Sequence, residues 1–384
     1  MRFDHLSPTR IVFGAGMLET AGVAAATLGT RPLVICGQSA RRSGALDRLL
    51  AMLRASGLDA SVHDGVTPDP GSDDIDAVLA IARRTERDVL VGLGGGSALD
   101  TAKAASVGID YESVRELVGT TLPTGSRGLP VLAIPTTTGS GAEVTKGAIV
   151  SDRVRRLKSG IRGDAIFPKI AIVDPELART LPPDVAAETA FDAFTHAVES
   201  YVARRATPIT DAIAEKSLDL LAPALRALAR GRWDEQVRED LALAALLGGI
   251  NVANASTCLP HRMQQAMGSV TRVSVSHGRG LALLYPAWLE RVEPFATERL
   301  ARVARALQSP DVHEGVRETL GALGLATTLR DCGFEDGDIA AFAQGLSGNM
   351  DNDPIPSADV RIARELFHRA FLTASSSGQA RPGG

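Results

Sequence analysis

Hydrophobic residues in the first half of the chain form short, β-branched runs separated by amphipathic segments. The strand-like runs are RPLVICG, ASVHDG, DVLVGLGG, LPVLAIPT and KIAIVD, and the helix-like segments between them include ALDRLLAMLRA, DDIDAVLAIARR and ALDTAKAAS. Strands that alternate with helices of about 10 to 15 residues are typical of βαβ units, in which helices cover both faces of a parallel sheet. Residues 1–180 therefore predict an α/β domain of the dinucleotide-binding kind.

The second half of the chain has a helical pattern. Beyond DPELARTLPP the strand signal ends, and apolar residues recur at helical spacing in VAAETAFDAFTHAVESYVA, ITDAIAEKSLDLLAPALRALA, EDLALAALLGGINVANA, ERLARVARAL and ADVRIARELFHRAF. The adjacent Pro182 and Pro183 favour a boundary near residue 180, with a proline in the first turn of the next helix. We expect an all-α domain over 181–372 and a disordered tail over 373–384.

Composition narrows the class of protein. The 384 residues are 45% hydrophobic, enough for two cores, and the net charge of −4 provides no basic field for nucleic acid or an anionic membrane. No segment reaches about 18 uninterrupted apolar residues, and the charged N-terminus lacks a secretory apolar core. The three cysteines form no CxxC motif, which fits a reducing cytosol. We expect a cytoplasmic protein with free thiols, a small-molecule substrate, and neither nucleic acid nor a membrane as partner.

A glycine-rich turn follows the strand-like run DVLVGL. Gly94, Gly95, Gly96 and Ser97 precede a predicted helix, and glycines there let backbone N–H groups approach phosphate oxygens at the helix N-terminus. The turn predicts a pyrophosphate site, although tight packing alone also explains such glycines. It follows the third or fourth strand, unlike the usual first-turn fingerprint.

A second loop, IPTTTGSGAEVTKG, also follows a strand. The hydroxyls of Thr136, Thr137 and Thr138 suit a carboxamide or a ribose, while β propensity is the alternative reason for threonine there. Ser140 and Glu143 have capping-box spacing, so we expect them to start a helix.

The end of the first strand indicates which nicotinamide cofactor is preferred. Gly37, Gln38 and Ser39 stand where an NAD site usually presents an acid to the ribose 2′-hydroxyl. Ser39, Arg41 and neighbouring Arg42 would suit a 2′-phosphate, which favours NADP(H) over NAD(H). The alternative is that both arginines belong to a solvated helix face.

One carboxylate and three of the seven histidines form a candidate metal site. Asp192 and His196 are four residues apart, hence on one face of a helix, whereas His261 and His277 must come from a different helix and the loop that follows it. Oxygen and imidazole ligands without a thiolate suit Fe²⁺, Zn²⁺ or Mn²⁺. Taken singly, Asp192 and His196 are also compatible with a helix-face acid and a core histidine. Cys258 is interpreted as a buried structural cysteine.

Five features of the sequence carry a family resemblance: GGGSALDTAK, IPTTTGSGAEVT, VDPELARTLP, FDAFTHAVESY and the glycine after the last histidine. Taken together, they resemble the iron-containing (group III) alcohol dehydrogenases over nearly the whole chain. The resemblance implies an α/β dinucleotide-binding domain and a helical domain around a cleft, one divalent metal with iron as first choice, and a homodimer. Matched by motif, the resemblance implies that the metal ligands are Asp192, His196, His261 and His277, and that the pyrophosphate binds at Gly94, Gly95, Gly96 and Ser97. It also implies that Thr136, Thr137 and neighbouring Ser140 approach the nicotinamide, and that Asp100 and Lys158 lie beside the cleft.

One position departs from the family pattern. Four residues after the third ligand the family often has another histidine, used in proton transfer, whereas this chain has Gln265 on the same helical face as His261. Gln265 cannot titrate, so the proton would come from water, a cofactor ribose hydroxyl or Lys158.

The string CLPHRMQQAMG is similar to the phosphonoacetaldehyde reductase branch of the family. Arg262, with Lys146 or Arg162 nearby, would hold a phosphonate bidentately. We therefore predict metal-dependent reduction of a small, anionic aldehyde to a primary alcohol. The alternatives are a general short-chain alcohol dehydrogenase or a maleylacetate reductase-like enzyme, a lyase resembling dehydroquinate synthase, and a non-catalytic protein that binds metal and nucleotide.

Overall fold

The computed structural model describes residues 2–372, so the tail expected over 373–384 lies outside the described residues. A six-stranded sheet, in the order β1-β8-β5-β4-β2-β3 with every pair parallel, forms the first half, and β6 and β7 pair antiparallel as a separate hairpin. The strands are β1 (Arg10–Phe13), β2 (Pro32–Cys36), β3 (Ser61–His63), β4 (Val89–Gly94), β5 (Val131–Pro135), β6 (Gly147–Asp152), β7 (Leu157–Arg162) and β8 (Ile170–Val173).

Helices cover the sheet and build the second half. The helices of the first half are α1 (Ala21–Ala26), α2 (Gln38–Arg42), α3 (Ala45–Ala55), α4 (Ser72–Arg84) and α5 (Gly96–Gly108). Those of the second half are α6 (Pro183–Val202), α7 (Pro208–Ala229), α8 (Glu235–Ala255), α9 (Leu259–Met267), α10 (His277–Leu307), α11 (Val312–Ala322), α12 (Asp338–Gly345) and α13 (Val360–Leu372). Short 3₁₀ helices include Ala142–Val144. The predicted fold class, a parallel α/β half followed by an all-α half, is confirmed.

The central strands bring the two predicted nucleotide loops together. Every residue of β2, β4 and β5 is buried, as expected for strands covered on both faces. β4 and β5 are neighbours and parallel, so their carboxyl ends meet at one edge of the sheet. The backbone N–H of Thr136, just after β5, donates to the carbonyl of Gly94 at 2.9 Å.

The hairpin β6–β7 was not predicted. Residues in β6 alternate between half-buried and buried, and both strands carry polar and charged side chains that break the apolar runs of the central sheet. The hairpin packs on α5, where the N–H of Ile149 donates to Asp100 Oδ2 at 3.0 Å. It is therefore fixed to the helix that follows the glycine turn.

Two local expectations were wrong, one about Ser140 and Glu143 and the other about His277. Ser140 and Glu143 form no capping box: Gly141, with φ +59°, begins the 3₁₀ helix Ala142–Val144, and Ser140 Oγ accepts the N–H of Ala142 at 3.3 Å. A single turn replaces the expected helix. Gly141 packs against Gly249 of α8, where a Cβ would lie 2.5 Å from the Gly249 Cα, so a side chain does not fit at this position.

His277 is the first residue of α10 and not part of a loop. The expected proline in the first turn of α6 is present, at Pro183. Among residues 2–372 no single helix has both the length and the apolarity to cross a membrane, although the bent pair α8 and α9 passes on length and composition when taken together.

Candidate metal and nucleotide site

Helix α6 supplies the first two candidate ligands from the centre of the helical half. Every residue from Ala190 to Val202 is buried, so the polar side chains on this segment face protein and not solvent. Asp192 and His196 lie on one face, four residues apart. Because burial removes polar groups from water at a cost in free energy, Asp192 and His196 require polar or charged partners inside the protein.

His261 enters from α9, whose first turn is held by two buried carboxylates. The N–H of Cys258 donates to Glu199 Oε2 at 2.7 Å, and the N–H of Leu259 donates to Asp353 Oδ2 at 2.9 Å. These bonds satisfy N–H groups that a helix start leaves free. They fix the end of α9 that carries His261.

Three of the four candidate ligands converge at Asp192 Oδ1, and His196 lies beside them. His277 Nε2 lies 3.5 Å from this oxygen and His261 Nε2 lies 3.7 Å from it, whereas the nearest nitrogen of His196 is Nδ1, at 3.8 Å. His261 Nε2 and His196 Nε2 are 3.0 Å apart. Ligand atoms of Asp192, His261 and His277 all fall within 4.8 Å of one another, and His196 joins them through His261.

Each of the three imidazoles is held through Nδ1. The oxygens that face Nδ1 are Gly139 O at 3.3 Å from His196, Glu199 Oε1 at 2.8 Å from His261, and Gln264 Oε1 at 2.5 Å from His277. An oxygen acceptor requires Nδ1 to donate, which leaves Nε2 as the nitrogen available to a ligand. Because the two Nε2 atoms of His196 and His261 lie 3.0 Å apart, their lone pairs need a cation between them, either a proton or a metal ion.

The protonation states agree with this geometry. Burial lowers the pKa of His277 to about 3 and also lowers the pKa of His196, so both stay neutral and able to ligate. For His261 burial acts in the same direction, but the negative charges of Glu199 and Asp192, together with the hydrogen bond to Glu199, outweigh it and raise the pKa to about 9. Burial opposes ionisation of Asp192, yet its three histidine neighbours lower its pKa overall.

The chemistry of the donor set fits a divalent metal ion. Asp192 Oδ1 is buried and has no hydrogen-bond partner among the described residues, although it faces imidazole nitrogens. A native protein rarely leaves a carboxylate oxygen in this state without an ion or water. One carboxylate and three imidazoles suit Fe²⁺, Zn²⁺ or Mn²⁺.

The two nucleotide loops pack directly against each other and reach the metal site. A Cβ on Gly95 would lie 3.1 Å from the Thr137 side chain, and one on Gly96 would lie 3.3 Å from Ser140. These glycines open the N-terminus of α5, where backbone N–H groups and the helix dipole favour an anion. The same loop carries Gly139, whose carbonyl accepts from His196. The candidate phosphate site and the candidate metal site are thus joined by one loop.

The structure places a carboxylate near the end of β2 that the sequence did not indicate. Gly37 caps α2, which carries Ser39 and Arg41. Although no acid follows β2 in sequence, the structure brings one from the end of β3: Asp64 Oδ2 lies 2.6 Å from Arg41 Nη2. Arg41 is therefore already paired with a carboxylate.

Lys158 lies near the metal ligands, and Asp100 lies on α5, where it accepts the N–H of Ile149. The Lys158 ammonium pairs with Asp69 at 2.6 Å, and its aliphatic part packs at Gly268, just beyond α9. Its charge is close enough to contribute to the pKa shifts of both His277 and Asp100. Gln265 Oε1 is buried and without a hydrogen-bond partner within the described part of the chain.

Arg162 and Arg262 are a hundred residues apart in sequence but close together in the structure. Both lie against Gly348, where a Cβ would be 3.3 Å from Arg262 Cδ and 3.8 Å from Arg162 Nη2. Burial, and then the positive charge of Arg162, lower the pKa of Arg262 to about 10. Arg262 donates only to the hydroxyls of Ser256 and Thr257, and its buried Nε has no partner among residues 2–372. No carboxylate in the described residues forms an ion pair with either guanidinium.

Lys146, the third predicted substrate residue, lies just before β6. Its carbonyl accepts the N–H of Gly163 at 3.0 Å, which places its backbone next to the end of β7. No contact links its side chain to the arginine pair in the part of the chain that the structure describes.

Three residues that hold the ligands were missed by the sequence analysis: Glu199, Gln264 and Gly139. Glu199 is seven residues after Asp192 and three after His196, hence on the same face of α6, and Gln264 is three residues after His261. Helical spacing carried a signal for the first two. Gly139 acts through its backbone, which leaves no mark in the sequence.

Comparison with known proteins agrees with this architecture. The family described as "Iron-containing alcohol dehydrogenase" matches residues 8–175, and that described as "Fe-containing alcohol dehydrogenase family, C-terminal" matches residues 186–358. The chain is 30% identical over 356 residues to lactaldehyde reductase of Escherichia coli (strain K12), covering 89% of this chain and 92% of the relative. It is 30% identical over 350 residues to an NADPH-dependent butanol dehydrogenase of Clostridium saccharobutylicum, covering 88% of each.

The fold is shared with solved structures as well. An alcohol dehydrogenase from an archaeal, halo-thermophilic Red Sea brine pool source superimposes with a TM-score of 0.91 at 26% identity, covering 97% of this chain and 99% of that one. The chain therefore belongs to the iron-containing alcohol dehydrogenase family. It is a metal-dependent oxidoreductase that uses a nicotinamide cofactor to interconvert aldehydes and alcohols.

Proposed function

We propose that this enzyme reduces a short anionic aldehyde, with phosphonoacetaldehyde as the model substrate, to its primary alcohol, and that it prefers NADPH. The observation that carries the substrate class is the pair Arg162 and Arg262. The charge of Arg262 is close enough to Glu199, the partner of the candidate ligand His261, to act on it, which supports an anion site near the metal ligands. Two guanidinium groups without an ion-paired carboxylate are costly in a protein interior, and a doubly charged phosphonate offsets that cost.

A divalent ion on Asp192, His196, His261 and His277 supplies Lewis acidity toward a carbonyl oxygen, and the reduced nicotinamide supplies the hydride. The protein positions both reactants. The glycine turn and α5 bind the pyrophosphate, and Thr136 and Thr137 orient the nicotinamide end. Gln265 Oε1, buried without a partner, accepts the hydrogen bond of the alcohol that forms. The proton that the product oxygen takes up comes from water, from a cofactor ribose hydroxyl or from Lys158, whose charge reaches His277.

The NADPH preference rests on the residues at the end of β2. Gly37 adds no carboxylate of its own beside that of Asp64, and a Cβ on Gly37 would lie 2.9 Å from Val66 O. Ser39 and Arg41 on α2 then receive the phosphate, with Arg41 exchanging Asp64 for the ligand. The relative named as an NADPH-dependent butanol dehydrogenase supports this preference.

We also propose that the enzyme is a homodimer in the cytoplasm. β1 is an edge strand of the six-stranded sheet, and the exposed apolar side chains of Phe3, Leu6 and Ile11 lie on or just before it. An exposed strand edge with apolar neighbours favours pairing with another chain. All three cysteines are free thiols, in keeping with a reducing compartment.

The decisive experiment compares an anionic and a neutral aldehyde. NADPH consumption is measured with phosphonoacetaldehyde and with propionaldehyde, for the wild type and for Arg262→Ala and Arg162→Ala. Loss of a charge-assisted contact of about 1.5–3 kcal/mol lowers kcat/KM for phosphonoacetaldehyde roughly 10- to 100-fold, while propionaldehyde turnover changes little.

Arg238→Ala is the matched control, because Arg238 in α8 is also buried but donates to the carbonyl of Trp233, which lies just before that helix. Equal losses on both aldehydes would reject the anionic substrate. Undiminished turnover after complete removal of metal would reject the metal mechanism.

A further inference from the structure

Glu199 is a fully buried carboxylate. Neither the sequence motifs nor the family comparison assigns it a role. Its side chain is 0% exposed, and both of its oxygens are engaged. Oε1 lies 2.8 Å from His261 Nδ1, and Oε2 accepts the N–H of Cys258 at 2.7 Å. The carboxylate therefore bridges α6 to the first turn of α9.

Within the described residues Glu199 forms no ion pair with a lysine or an arginine, although the charge of Arg262 is close enough to act on it. The ion pair that Glu199 forms there is with His261, a candidate metal ligand. An ionised carboxylate in a protein interior needs a compensating positive charge. Glu199 and Asp192 together carry two negative charges, which a divalent ion on the four ligands balances.

The three imidazoles differ in what holds them. His261 donates to a carboxylate, His277 to the neutral amide of Gln264, and His196 to the backbone carbonyl of Gly139. A carboxylate acceptor draws the Nδ1 proton more strongly than an amide or a carbonyl, which makes the opposite nitrogen a better electron donor. Of the three, His261 is the one whose Nε2 is strengthened by a full negative charge.

We propose that Glu199 is a positioning residue that fixes His261 with its proton on Nδ1 and thereby sets the affinity of the site for its divalent metal. This inference rests on the metal site of the proposed function. Glu199 also anchors the N–H of Cys258, but its effect on metal affinity acts through His261.

The substitution Glu199→Gln tests the role because glutamine cannot reproduce both contacts. If the amide oxygen accepts from Cys258, the NH₂ group faces His261 Nδ1 and favours the proton on Nε2, which is the nitrogen that must bind metal. If the amide oxygen accepts from His261, the NH₂ group opposes the Cys258 N–H, donor against donor. Either arrangement weakens the site.

Asp353→Asn is the matched control. Asp353 is also buried at 0% exposure and accepts the N–H of Leu259, the residue next to Cys258, as well as Trp288 Nε1 at 2.9 Å. It anchors the same helix turn without touching an imidazole. A loss that comes only from loosening α9 appears in both variants.

The experiment measures metal affinity by chelator competition with Zn²⁺, and ligand geometry by the visible spectrum of the Co²⁺ form, both without substrate. We expect Glu199→Gln to weaken Zn²⁺ binding about 10- to 100-fold and to alter the Co²⁺ spectrum, as removal of such a partner does elsewhere. Asp353→Asn should lower the melting temperature of the metal-free protein but leave Zn²⁺ affinity close to wild type. Equal effects of both variants on Zn²⁺ affinity would overturn the proposal and leave Glu199 as a helix anchor.

Glu199→Asp carries the test if the glutamine variant does not fold. It keeps the negative charge but withdraws the carboxylate by one C–C bond, about 1.5 Å, so the contact with His261 is broken. Weaker Zn²⁺ binding supports the proposal, and wild-type affinity overturns it. These measurements of metal binding do not depend on turnover. If the proteins bind Zn²⁺ as expected but the wild type reduces no aldehyde, the proposed function is rejected and this inference stands.

Discussion

The guanidinium of Arg41 is paired with the carboxylate of Asp64, with Nη2 2.6 Å and Nε 2.8 Å from the same oxygen. The pair joins α2 to the residue after β3, at the sheet edge where β4 ends in its glycine turn. A ligand at this edge finds Arg41 beside a negative charge. Asp64 therefore competes with any 2′-phosphate for the cation that we assign to NADPH.

Replacement of Asp64 by Asn should tighten NADPH binding a few-fold and leave NADH unchanged. The reason is that Arg41 is released and a charge of the same sign as the phosphate is removed. Arg41→Ala should weaken NADPH and spare NADH. Fluorescence titration of both cofactors gives the four dissociation constants. Weaker NADH binding in Asp64→Asn would instead mean that Asp64 accepts the ribose 2′-hydroxyl.

Much of the architecture could be predicted because it is local in sequence. The buried strands appear as unbroken apolar runs, and α3 begins and ends at the residues of ALDRLLAMLRA. The spacing of Asp192 and His196 already placed both on one helical face, and the structure brings His261 and His277 to the same point.

What could not be predicted depends on distant parts of the chain meeting. Arg162 and Arg262 are a hundred residues apart, and their proximity follows from how β7, α9 and Gly348 pack. The acid beside Arg41 comes from a neighbouring strand and so was missed. The β6–β7 hairpin lacks the apolar run that marks a buried strand because one face of β6 is only half-buried.

Gly278→Ala should destabilise the protein and disturb the metal site. A Cβ on Gly278 would lie 2.1 Å from the backbone carbonyl oxygen of Glu188 in α6, so α10 must move, and His277 precedes Gly278 directly. Such overpacking costs about 1–3 kcal/mol. Thermal unfolding and Zn²⁺ affinity measure the two effects.

Gly321→Ala is the control for the same chemical change. Gly321 lies inside α11 with no atom near its missing Cβ, so alanine should stabilise the helix by about 0.5–1 kcal/mol. A melting temperature of Gly278→Ala at or above wild type would show that α6 and α10 are free to separate.

Asp192→Asn should abolish stabilisation by metal. Asp192 supplies the one carboxylate oxygen among the four candidate ligands, and its Oδ1 is buried without another partner in the described chain. A ligand at a hundred times its dissociation constant stabilises the folded state by about 2.7 kcal/mol. Fe²⁺, Zn²⁺ or Mn²⁺ should thus raise the melting temperature of the wild type but not of the variant. An equal rise in both proteins would place the ion elsewhere.

Glu143 should make stability depend on pH. The side chain is 2% exposed, and burial, opposed by its own backbone N–H and the charge of Lys103, raises its pKa from 4.5 to about 7. The folded protein therefore keeps a proton that the unfolded chain releases above pH 4.5. This contribution to stability is fully present below pH 4.5 and is lost as pH rises to about 7, a change of about 3 kcal/mol.

Glu143→Gln removes this titration, so the difference in unfolding free energy, variant minus wild type, should increase between pH 4.5 and 7 and then level off. Guanidinium chloride unfolding at several pH values measures it. Glu239→Gln, at an exposed position of α8, controls for the loss of a glutamate as such. If the free-energy curves of Glu143→Gln and wild type run parallel across this range, Glu143 is ionised in the folded protein and Lys103 compensates its charge in full.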